Sequence, residues 1–179
     1  MNKPESEVIR TKDMRKTENF LRKELQILMR CEEFGEDLRN AWMLFWNEKD
    51  TSSMRDIDED KYREFTEWYI HEYRLIDHNI PLLELYYQRR KNKLPPNVLS
   101  MLTDWMKAYY GIFEVQKVVV GKGVYLKDII SGNEFYLNDV SSSKDLLTYD
   151  ILFSHIIPMY GEYYTSGAGI GCRTMSKMN

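Results

Sequence analysis

Apolar positions change their period once along the chain, near residue 113. Before it they recur every three or four residues. Phe20, Leu21, Leu25, Leu28 and Met29 form one stripe, which predicts a helix from Thr17 that Gly35 ends. Leu38, Ala41, Trp42, Phe45 and Trp46 predict a second over residues 37–47. A polar loop follows over 47–60, with Asp58 placed to cap the next helix. That helix, 61–75, carries Tyr62, Phe65, Trp68, Tyr69 and Tyr73 and is the most aromatic of the series. After a break at 77–81, a short helix is expected over 82–91. A further one starts at Pro95-Pro96-Asn97 and runs through Leu99, Leu102, Trp105 and Met106 to Gly111 as its C-cap. Aromatic stripes at this spacing read as core packing rather than a ligand box.

From Phe113 the pattern becomes strand-like. Residues 113–120 are rich in β-branched side chains and meet Gly121-Lys122-Gly123, whose two glycines can supply the positive φ angles of a tight hairpin. Strands are expected over 124–130, 134–138, 151–159 and 162–166, with a turn at Ser131-Gly132-Asn133 and a polar loop at 139–145. Pro158 belongs at a strand end or edge, because it has no N–H for a ladder. Five short strands suit a small SH3-like or OB-like barrel better than a sandwich. The fold expected is therefore α+β: a polar, frayed segment at 1–16, an aromatic-rich helical region at 17–112, a small five-stranded barrel at 113–168 on which the helices pack, and a flexible tail at 169–179.

Composition narrows the function classes. Residues 1–112 hold 19 Lys/Arg against 21 Asp/Glu, and residues 113–179 hold 6 against 7, so no basic face is announced. A nucleic-acid partner would need a local patch. No apolar run approaches the roughly 18 residues of a membrane span, and no apolar core of a signal peptide follows Met1–Lys16, so the chain reads as cytoplasmic with no membrane partner. Cys31 and Cys172 stand far apart and read as two reduced thiols.

Five segments carry a family resemblance: DLRNAWMLFW at 37–46, FTEWYIHEYRL at 65–75, PLLELYY at 81–87, FEVQKVVVGKGVYLKDIISGNEF at 113–135 and GEYYTSGA at 161–168. The chain resembles uncharacterised bacterial cytosolic proteins in which a helical region and a small β-rich region precede a SEC-C motif, the zinc-binding element named for the SecA C-terminus. That element needs paired thiolate ligands. Cys172 stands alone here, so neither zinc nor any SecA-related role is carried over, and no metal or other cofactor is expected.

Candidate chemistry is sparse. Glu67 and His71 lie four apart and share a helix face, with His78 nearby, but the spacing matches no metalloenzyme motif. Gly121-Lys122-Gly123 lacks the pattern of a nucleotide loop, and Gly167–Gly171 reads as tail. Ser141-Ser142-Ser143 with His155 and Asp150 offers the residue types of a hydrolase triad without a nucleophile elbow. Arg89, Arg90, Lys91 and Lys93 form the one dense basic run, beside Tyr86 and Tyr87.

Three functions follow, the first preferred. One is a non-catalytic module that binds a protein partner. Another is an RNA- or DNA-binding barrel that stacks bases on Tyr125, Phe135 and Tyr136 and holds phosphates with Arg89, Arg90, Lys91 and Lys93. The third is an enzyme with Glu67, His71 and His155 in a cleft between helices and barrel. Catalysis is the less favoured class, because no constellation specifies a reaction.

Overall fold

The computed structural model describes residues 5–159 and 161–172, with side chains described over 12–159 and 161–165. The chain is α+β and divides into two compact units, residues 1–106 and 107–179.

The first unit holds five helices: α1 (Glu5–Met29), α2 (Gly35–Trp46), α3 (Glu59–His71), α4 (Leu82–Arg90) and α5 (Pro96–Trp105). The stripe of α1 buries Leu21, Leu25 and Met29 completely, each worth about 1.5–3 kcal/mol of transfer from water. Phe20, expected in that stripe, is 44% exposed, and the helix starts at Glu5 rather than Thr17. Gly35 does not end α1; a short 3₁₀ turn at Glu32–Phe34 intervenes and Gly35 opens α2 in ordinary helical geometry. Asp58 caps α3 as its position predicts, accepting the Lys61 N–H at 2.9 Å.

The aromatic stripes of α2 and α3 meet each other. Phe65 takes Trp42 edge-on at 4.9 Å and Phe45 at 5.7 Å, and Tyr69 stacks on Tyr73 at 5.3 Å. Burial pushes the Tyr69 phenol well above its ordinary pKa, with the Asp37 carboxylate adding to the effect. Tyr86 of α4 is pushed up to about 12 by burial and by Glu24.

The second unit is a closed barrel of β1 (Tyr109–Val119), β2 (Gly123–Asp128), β3 (Glu134–Leu137), β4 (Ile151–Met159) and β5 (Glu162–Cys172), with a short helix α6 (Ser142–Asp145) between β3 and β4. The strand order is β1-β2-β3-β5-β4, closing back onto β1. Every pairing is antiparallel except β3 with β5, which run parallel at Leu137 and Tyr163. This order, with its parallel closing pair, selects the OB-like barrel over the SH3-like alternative. Phe113, Val115, Val124, Leu126, Leu137, Leu152 and Ile156 fill the interior.

Several expected boundaries shift. Gly111 is not a helix cap: α5 stops at Trp105, and Gly111 points into the barrel, where its missing side chain leaves room for the rings of Tyr109 and Phe113. The glycine-rich segment read as tail belongs to β5 through Cys172, and residues 173–179 lie outside the described residues. Pro158 is tolerated because β4 pairs with β1 only as far as Ile156.

Asp128 closes the end of β2. Its carboxylate accepts from the Tyr109 hydroxyl and from the N–H groups of Ile130 at 2.6 Å and Ser131 at 3.0 Å. The Tyr109 hydroxyl first, then these N–H groups, hold its pKa down at about 2. The fold therefore favours the carboxylate. Its contribution is complete above the unfolded-state value of about 4 and is lost as pH falls through the folded value. The thermal midpoint is expected to fall on acidification across that window, and Asp128→Asn is expected to flatten the fall; circular dichroism melts at stepped pH check both.

Candidate functional site

The residues singled out from the sequence separate between the two units. Glu67 and His71 do come together on α3, with His71 Nε2 3.6 Å from Glu67 Oε2 and both side chains 4% exposed. Glu67 also accepts a hydrogen bond from Arg22 of α1, whose guanidinium lies 4.9 Å above the Trp105 ring and pairs with Glu18 at 3.0 Å. This is a buried ion-pair network tying α1, α3 and α5. His78 takes no part: its Nε2 lies 3.9 Å from Glu33. His155 belongs to the barrel unit, buried against Tyr110 with ring centroids 4.8 Å apart.

The basic run is partly committed. Arg89 grips Glu33 with two hydrogen bonds, at 3.0 and 2.5 Å, and covers Phe34. Lys91 lies over Tyr87 at 5.5 Å. Arg90 and Lys93 are exposed. The serines are structural as well. Ser142 Oγ donates to Asp139 at 2.7 Å, while buried Ser143 donates to the Val140 carbonyl and accepts the Gly121 N–H at 3.0 Å, pinning the β1–β2 turn. Asp150 accepts the Leu147 N–H at 2.9 Å. These bonds commit Ser142, Ser143 and Asp150 to local turns.

The barrel aromatics divide by strand alternation. Val124 and Leu126 face inward, so Tyr125 between them faces out, and on β3 the inward Leu137 leaves Tyr136 outside. Tyr125 and Tyr136 are register partners with ring centroids 4.8 Å apart, 45% and 38% exposed. Phe135 does not join them. It packs among Phe113, Tyr109 and Tyr163 and helps close the core.

A residue the sequence reading missed completes the group: Lys117 of β1 is the register partner of Tyr125, with Nζ 6.0 Å from the ring centroid. A bulge at Gln116 brings it there. Below this trio, Lys127 lies in register with Glu114 on one side and Glu134 on the other, one ammonium between two carboxylates.

Comparison with known proteins gives one match. A family model described as Family of unknown function (DUF7986) covers residues 6–173. The chain belongs to that family. No curated protein and no solved structure matches it. The family match brings no SEC-C element with it, and among the described residues no three His, Cys, Asp or Glu side chains are grouped to hold a metal. Nor is any helix among them long and apolar enough to cross a membrane. In this member of the family, the outward face of β1–β2–β3 holds two exposed aromatic rings and a cation in fixed register.

Proposed function

We propose that the protein is a non-catalytic, cytosolic interaction module that binds a protein partner through the outer face of β1–β2–β3, centred on Tyr125, Tyr136 and Lys117. The observation that carries this reading is the exposed Tyr125–Tyr136 pair, held rigid by cross-strand register and by packing of the Tyr136 ring over Gly123. Tyrosines that present large area at small entropic cost are typical interface anchors. The flanking Glu114, Lys127 and Glu134 supply a charged polar rim.

Single-stranded nucleic acid is the second reading, favoured by the OB-like strand order and the two outward rings. Charge weighs against it: between residues 107 and 172 five lysines face seven carboxylates, too few cations for strong counterion release.

Affinity capture from a cytosolic extract, with and without nuclease, distinguishes the two. Retention of a protein that survives nuclease and drops about tenfold or more in the Tyr125→Ser/Tyr136→Ser variant supports the proposal. Nuclease-sensitive retention supports the nucleic-acid reading. Retention indifferent to both tyrosines overturns the placement of the site.

A further inference from the structure

Between the end of α2 and the start of α3 lies a cavity of about 220 Å³. Trp42, Trp46, Glu48, Asp56, Asp58 and Lys61 form most of its wall. It belongs to the helical unit and is independent of the barrel face described above.

The wall is preorganised. The Trp42 indole N–H donates to Ser53 Oγ at 2.9 Å and to Glu48 Oε2 at 3.2 Å, and Ser53 donates to the same Glu48 oxygen at 2.5 Å. Asp58 is held by its capping bond to the Lys61 N–H, and the Lys61 ammonium stays 3.6 Å from its other oxygen. Two groups remain open. The exposed Asp56 carboxylate makes no hydrogen bond or ion pair among the described residues, and the Trp46 indole N–H is buried without a hydrogen-bond partner.

The chemistry of this lining selects a ligand class. Three carboxylates against one ammonium set a negative potential, which the surrounding segment reinforces: residues 47–61 hold six acids and three bases. An anion is disfavoured there. An inorganic cation is poorly served too, because no three carboxylates among the described residues converge closely enough to ligate one. The apolar part of the wall, Ile57 and the half-buried Trp46 beside the buried Trp42, instead suits a cation that carries its own apolar surface. The volume lies below the roughly 300–1,000 Å³ of pockets for drug-sized molecules, which fits a small ion.

We propose that this cavity binds a small free alkylammonium ion, with Trp46 and Ile57 against its alkyl groups and Glu48, Asp56 and Asp58 balancing its charge.

The test is an NMR titration of the indole N–H resonances with tetramethylammonium chloride, against sodium chloride at equal ionic strength. Saturable shifts at Trp42 and Trp46 with the first salt alone are expected. Asp56→Asn, an exposed change that removes no bond, is expected to weaken binding about threefold, and Trp46→Leu about fivefold or more. The proposal is overturned by no saturable shift into the tens of millimolar, by equal shifts with sodium, or by affinity that Asp56→Asn leaves unchanged in a folded protein.

Discussion

Arg22→Met is expected to destabilise the helical unit by about 3 kcal/mol. The substitution keeps most of the aliphatic length of the side chain but removes the guanidinium that donates to Glu67, whose carboxylate is 4% exposed. The carboxylate then keeps its burial and His71 at 3.6 Å but loses its permanent cation, and the Trp105 face loses the charge 4.9 Å above it. Breaking one side of a buried pair typically costs about 3–5 kcal/mol, and Arg22, about a quarter exposed, belongs at the lower end. The pair itself need not be strongly stabilising, because both charges were desolvated to form it. Arg22→Met/Glu67→Met therefore recovers part of the loss, since the buried carboxylate goes together with its cation, although Glu18 and His71 each lose a partner. Urea unfolding followed by tryptophan fluorescence measures both variants. A double variant as unstable as the single one would show that shape, and not charge, holds α1 against α3.

Gly123→Ala is expected to cost about 3 kcal/mol and Gly121→Ala about 1 kcal/mol, though the two glycines flank the same residue. At Gly121 the backbone φ is +75° and nothing lies within 4 Å of an added Cβ, so the penalty is conformational. At Gly123 an added Cβ overlaps the Leu137 carbonyl oxygen across the β2–β3 pairing and comes within 2.9 Å of the Tyr136 hydroxyl. A side chain can swing away, but a ladder carbonyl moves only if the strands part. Thermal unfolding ranks the two. Amide exchange at 124–126 and 135–137 is expected to speed up in Gly123→Ala alone.

That contrast shows how far the sequence could be read. Gly121-Lys122-Gly123 announces a turn, and the turn is there, yet only the first glycine has a positive φ; the second is needed by a strand 14 positions further on. Local signals worked where the determinant is local. The apolar periods located the helices and most of the strands, and Asp58 with its following N–H groups marked the start of α3. They misled where tertiary packing decides. Gly111 resembles a helix cap by position, but it is a spacer beneath Phe113, and the glycines after Ser166 extend a strand that β4 recruits.

The candidate site was half legible. Alternation with Val124, Leu126 and Leu137 is enough to turn Tyr125 and Tyr136 outward. The same signal was available for Phe135 and was overlooked: it neighbours Tyr136 on the opposite face. Lys117 was hidden, since an unbroken ladder would set Gln116 opposite Tyr125. Only the bulge between Val115 and Lys117 advances the register by one and turns Lys117 out. The cavity beside Trp42 and Trp46 was hidden too, because the acidic end of the 47–60 loop does not say which helix ends it folds against.

The most direct test of the recognition face is amide hydrogen exchange of the complex with its captured partner, compared with the free protein. Protection concentrated in 114–119, 123–128 and 134–137, and absent from α1–α5, is the result expected if Tyr125, Tyr136 and Lys117 form the contact. Protection confined to the helical unit, with the barrel strands unchanged, would contradict it.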